Sequence, residues 1–215
     1  VLSPCEEVLL DAKNTVFKNV KVNDKLATYK NDNSMLSVSA QLKPSTQNSL
    51  TFKFKTKVKQ AMYFLKRNDA WNIWTQGQGK YTSNWLPSID DVNDKIEFDL
   101  KITFDSDYEV LANGKLLDKK THLKSTTWHY DMQHPMSSYL VAVVIGKYDK
   151  IEEQSKSGVP LSYFYYPEDS LKLEPTYRYT KQIFDFFEAE IGVPFPWQNY
   201  KQVPVHDFLY AGMEN

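Results

Sequence analysis

The sequence predicts a mainly β protein, antiparallel strands to about Pro167 and then the opening helix and strand of a second, α/β part. Three observations predict it. Apolar and polar residues alternate with period two over most of residues 1–166, turn residues recur at short intervals there, and helical spacing begins only after Tyr166. A content of 14 Tyr, 12 Phe and 5 Trp suits extended packing as well. The predicted division is therefore a β-domain over 1–167 and the start of a second domain over 168–215.

In chain order, Leu36, Val38 and Ala40 alternate with Ser37, Ser39 and Gln41, and Leu50, Phe52 and Phe54 with Thr51, Lys53 and Lys55. Both read as half-buried strands. Lys53, Lys55, Lys57 and Lys59 form a charged row that suits the wet face of an exposed strand better than a polyanion site. The clearest ladder is Ile96, Phe98, Leu100, Ile102 and Phe104, interleaved with charged or polar residues, so one face is core and the other water. Asn113-Gly114 predicts a hairpin turn with positive φ. Thr126, Trp128, Tyr130 and Met132 continue the alternation, and residues 139–145 read as a strand buried on both faces. Leu173, Tyr177, Thr180, Phe184, Phe187 and Ile191 then form one helical stripe expected to be core, with Pro175 in the first turn and Gly192 as the stop. A rigid Val193-Pro194-Phe195-Pro196-Trp197 connector leads to a strand-like run at 201–205.

Lys+Arg 26 against Asp+Glu 27 gives a net charge of -1, which provides no electrostatic footprint for nucleic acid or an anionic membrane. The single Cys5 excludes an internal disulfide and a cysteine zinc cluster. The longest apolar run, 139–145, is too short for a transmembrane segment. Val1 is expected to be a truncated or processed end, and the compartment, cytoplasmic or periplasmic, is left open.

Two stretches carry candidate chemistry. The chain ends Tyr210-Ala211-Gly212-Met213-Glu214-Asn215, where small residues expose backbone to a ligand and a carboxylate follows. Far upstream, Trp74-Thr75-Gln76-Gly77-Gln78 is followed by Pro87 and Asp90. The ending resembles the G-x-M-E-N exopeptidase motif of the aminopeptidase-N-type zinc metallopeptidases, the family that also holds leukotriene-A hydrolase. Gly212, Met213, Glu214 and Asn215 fit, and Ala211 stands where the family has its first Gly. The upstream stretch is similar to that family's T-Q-x-[EQ] segment with a downstream P-x-x-D, Ser83 replacing an intervening basic residue.

The resemblance runs from about Leu9 onward. It implies a saddle-shaped antiparallel β-sandwich domain, its early strands missing, followed by the first helix and strand of a thermolysin-like α/β domain. It assigns Glu214 and Gln78 to the substrate's α-ammonium, meeting at the amine end of the cleft. By the same carry-over Gln76 and Tyr210 line the pocket for the first side chain, and Ala211, Gly212 and Met213 form the backbone groove. The expected substrates are peptides with a free N-terminus. Zinc would serve the intact enzyme through an H-E-x-x-H motif. His122, His129, His134 and His206 lack that spacing, so no catalytic or metal-binding residue is expected within this chain, and the fragment is expected to be inactive alone. The alternatives are a non-catalytic relative acting as a protein-interaction scaffold and, should both motifs be accidents, a free-standing β-sandwich binding module.

Overall fold

The computed structural model of the protein describes residues 4–209 and 212–214. Its chain forms two compact units: Val1–Tyr63, Thr75–Lys95 and Met136–Val141 make the first, and Phe64–Trp74, Ile96–Pro135 and Ala142–Asn215 the second.

The first unit opens with β1 (Cys5–Asp11), β2 (Thr15–Val22), β3 (Lys25–Leu26), β4 (Tyr29–Asn31), β5 (Met35–Leu42) and β6 (Leu50–Thr56). They pair antiparallel in two sheets, ordered β1-β5-β4 and β3-β2-β6. The period-two pattern of β5 holds, because Leu36, Val38, Ala40 and Leu42 are all buried. Ala12, Phe17, Val20, Leu36 and Val38 form one core cluster, in which Phe17 meets the Phe52 ring edge-on at 5.2 Å. Phe54 stays 41% exposed on the outer strand of its sheet, less buried than its alternation suggested.

The chain continues through β7 (Met62–Arg67), β8 (Ala70–Thr75), β9 (Lys95–Asp105), β10 (Glu109–Ala112), β11 (Lys115–His122), β12 (Ser125–Ser137) and β13 (Val143–Gly146). These give the sheets β10-β13-β8-β7 and β11-β12-β9. Thr126, Trp128, Tyr130 and Met132 are buried on one face of β12, as their spacing requires. On β9 only Phe98 is buried, while Leu100, Ile102 and Phe104 are half-buried and Ile96 is exposed, between exposed charged or polar neighbours.

Two sequence readings change here. Asn113-Gly114 is no hairpin turn, because β10 pairs with β13 and β11 with β12. Gly114 does have φ +79°, yet what demands glycine is crowding as much as dihedral: a Cβ would sit 2.7 Å from the Met132 Cα and closer still to the Asp131 carbonyl. Residues 139–145 do not form one strand either. A short 3-10 turn, Ser138–Leu140, precedes β13, all four residues of which are buried.

The second unit ends with β14 (Asp149–Gln154), β15 (Pro160–Tyr165), α1 (Ser170–Tyr177), α2 (Thr180–Ile191) and β16 (Tyr200–Gln202). β14 and β15 pair antiparallel, and β16 returns parallel to β15 with Leu161 opposite Tyr200. The predicted single helix is thus two. Pro175 lies inside α1, where its missing N–H and its ring weaken the ladder, and the chain turns at Arg178 and Tyr179. Gly192 ends α2 with φ 70°, its N–H reaching the Glu188 carbonyl at 3.1 Å. The stripe is core only in part. Tyr177 stacks on Tyr163 at 5.1 Å and Phe184 packs on Phe195 at 5.0 Å, but Phe187 and Ile191 stay 54% and 65% exposed.

Candidate recognition segments

From Thr75 on, the upstream segment belongs to the first unit. Thr75 and Gln76 are buried, whereas Gln78 is exposed. The Gln76 backbone N–H donates to the Ala61 carbonyl at 2.8 Å, and its side-chain Nε2 donates to Gln78 Oε1 at 3.3 Å, so the two amides lie side by side. Gly77 is required by close approach: a Cβ there would come 2.7 Å from the Tyr139 carbonyl and closer to Thr82 Oγ1. Thr82 Oγ1 in turn donates to the Ser138 carbonyl at 3.1 Å. Asp90 is buried and accepts from the Ser83 N–H at 2.9 Å, Ser138 Oγ at 2.9 Å and Ser88 Oγ at 3.2 Å. Three hydrogen bonds thereby satisfy a buried carboxylate at a place where Ser83 supplies no cation.

The terminal segment belongs to the second unit. Gly212 and Glu214 are exposed and Met213 is half-buried; Tyr210, Ala211 and Asn215 lie outside the described residues. β16 ends at Gln202, short of the end of the 201–205 run predicted, since Pro204 has no N–H for a ladder. Beyond it the backbone is held by side chains of β8. Asn72, buried, accepts from the His206 N–H at 3.0 Å and donates through Nδ2 to the Tyr148 hydroxyl at 2.8 Å. That hydroxyl donates to the Pro204 carbonyl at 2.7 Å, and the Tyr166 hydroxyl reaches the same carbonyl at 3.2 Å. Trp74 Nε1 donates to the His206 carbonyl at 3.1 Å, and its ring packs on Phe208 at 5.1 Å.

Burial pushes the Tyr148 hydroxyl up and the Tyr166 hydroxyl up to about 12, so both stay protonated donors. The His206 ring stacks flat on Tyr166 at 4.2 Å and accepts from Arg67 Nη1 at 3.0 Å. Burial and then the Arg67 charge lower its basicity, opposed by Asp207, Glu168 and Asp169, which suits a neutral imidazole with its proton on Nε2. One wall of an open cleft of about 410 Å³ is built from Arg67, Tyr166, Glu168, Asp169, Lys172 and His206.

On β16, Lys201 Nζ donates to the carbonyls of Ala112 at 2.9 Å and Gly114 at 2.7 Å and lies 4.8 Å from the Tyr130 ring centroid. Motif reasoning missed Asn72, Tyr148 and Lys201, and quoted Trp74 without giving it a role. The available signal for Asn72 is an amide interrupting the apolar run Trp71-Asn72-Ile73-Trp74, a polar group that must find partners where it is buried.

Among the described residues no group of three or more His, Cys, Asp or Glu is placed to hold a metal ion. Three of the four histidine rings have other partners, His129 with Asp99 at 2.7 Å, His134 with the Trp197 ring at 5.8 Å and His206 with Arg67. These residues do not fit a zinc centre.

Comparison with known proteins identifies the family. The family described as Peptidase M1 N-terminal domain matches residues 2–140. Glutamyl aminopeptidase of Homo sapiens is 28% identical over 131 residues, 60% of this chain and 14% of that protein. Leucyl aminopeptidase of Saccharolobus solfataricus is 24% identical over 215 residues, 98% of this chain and 27% of that protein. The crystal structure of an M1 zinc metallopeptidase from Deinococcus radiodurans shares the fold with a TM-score of 0.76 at 15% identity, over 93% of this chain and 48% of that one. The chain thus spans well under a third of the length of these two aminopeptidases. With mainly antiparallel β architecture followed by helices, and a family match over more than half its length, the chain belongs to the M1 peptidase family and carries its N-terminal domain.

Proposed function

We propose that this chain is the N-terminal, substrate-recognising part of a zinc-dependent aminopeptidase that removes N-terminal residues from peptides. The observation that supports the reading is family membership, with relatives named as aminopeptidases, in a chain that keeps Gln76, Gln78, Gly212, Met213 and Glu214. Zinc, polarising the scissile carbonyl and activating water, would be held by residues this chain does not contain. What this chain contributes is recognition of the amine end. A carboxylate forms a charge-assisted hydrogen bond with an α-ammonium, and Glu214 takes that part. Gln78 accepts a further ammonium proton: Gln76 Nε2 occupies one lone pair of Gln78 Oε1 and leaves the second for substrate. Gln76 and Tyr210 line the pocket for the first side chain, and Ala211, Gly212 and Met213 offer backbone to the peptide.

The test is Glu214→Gln in the full-length, zinc-loaded enzyme. Losing a hydrogen bond to a charged group costs on the order of 1.5–3 kcal/mol, so kcat/KM on substrates with a free N-terminus should fall by about ten- to a hundredfold or more. Binding of N-acetylated analogues should hardly change. An equal loss on both ligand classes would make Glu214 a structural residue and sink the assignment. The isolated chain is expected to bind no stoichiometric zinc and to turn over no aminoacyl substrate; near one zinc per chain with turnover would overturn that part.

A further inference from the structure

Four hydrogen bonds converge on the backbone of residues 204–206 from side chains to which the motifs give no role. Asn72 is the hub: its carbonyl oxygen holds the His206 N–H, and its amide nitrogen holds the Tyr148 hydroxyl, which fixes the Pro204 carbonyl. Two residues along the same strand, Trp74 takes the His206 carbonyl and packs on Phe208. Asn72 and Trp74 share one face of β8, because side chains alternate along a strand. β8 is also an inner strand, between β13 and β7, and therefore a rigid platform. A loop gains a fixed course only where such groups tie its backbone down, and Gly212 and Glu214 follow these residues in the sequence.

We propose that Asn72, through Tyr148 and together with Trp74, is a positioning residue for the Gly212–Glu214 recognition segment, setting where the carboxylate stands without touching substrate. This rests on the aminopeptidase reading above. Asn72 uses both ends of its amide in fixed directions, which neither a hydrocarbon nor an ionised carboxylate reproduces. Removing it leaves the His206 N–H unpaired and takes from the Tyr148 hydroxyl the donor that orients it toward the Pro204 carbonyl, and the loop is released to find other partners.

The experiment pairs two readouts on Asn72→Ala and on Tyr148→Phe, the latter keeping the ring that packs on Phe164 and Tyr166. In this chain, amide hydrogen exchange of His206 should speed up by about tenfold or more in Asn72→Ala, while Val110 and Ile145 in the same sheet keep their protection. In the full-length enzyme, affinity for free-amine ligands should fall by about tenfold in both variants, affinity for N-acetylated analogues staying within about twofold. Unchanged His206 exchange overturns the clamp. Faster exchange with equal loss on free and blocked ligands makes Asn72 structural only and overturns its positioning role. If the wild-type enzyme hydrolyses no peptide, the aminopeptidase reading has failed and the recognition role with it, whereas His206 exchange still decides whether Asn72 holds the loop.

Discussion

Lys201 carries a charge where little water reaches it. Burial, and then Lys150, push its ammonium from 10.5 down to about 8, although two carbonyls and the Tyr130 ring face solvate it in part. Its folded pKa lies below its unfolded one, so between about pH 8 and 10.5 the unfolded chain binds more protons here and stability from this group rises with pH. Denaturation midpoints measured from pH 7.5 to 10.5 should climb more steeply in wild type than in Lys201→Met; parallel curves would refute the burial of the charge. Gly77 gives a second prediction. Gly77→Ala should destabilise the first unit by about 1–3 kcal/mol, read from urea melts, because Tyr139 backbone must move. Gln76, Gln78 and Glu214 were legible as short motifs with an expected chemistry. Asn72 and Lys201 were not, since their partners lie 134 and 87–89 residues away in the chain and no local spacing announces such a pair.

Elements were legible where one strand face is wet. β5 and β12 follow their alternation because a slip of one residue would reverse every side chain. The Asn113-Gly114 link misled for a physical reason: a positive φ at Gly114 serves a turn or a close backbone approach equally well, and sequence does not separate them. The helical stripe told which residues share a face, though not which of them meet β15 and β16, so Phe187 and Ile191 came out exposed. β6 lies at the edge of its sheet, with Lys53 and Lys55 exposed. Replacing both with Val should increase aggregation, followed by light scattering at constant temperature, with little change in the thermal midpoint. No increase would remove the protective role read from the lysine row.

Across the whole molecule, some pairings join strands adjacent in sequence, such as β14 with β15 and β11 with β12, and others, such as β8 with β13, join strands far apart. The parallel pair of β15 and β16 is of the second kind, because α1, α2 and their connectors lie between its strands. Bringing Tyr200 beside Leu161 means closing a long loop before any contact compensates for the lost chain entropy. The β14–β15 hairpin can form early, and β16 is expected to dock on it late. A side chain that packs only after the folding transition state affects how fast the protein comes apart and hardly how fast it assembles. Tyr200→Ala should accordingly accelerate unfolding in stopped-flow experiments while leaving the refolding rate nearly unchanged; slowed refolding would place β16 in the nucleus. Pro204, His206 and Phe208 follow β16 directly, so a late-docking β16 makes their contacts late to form and early to break.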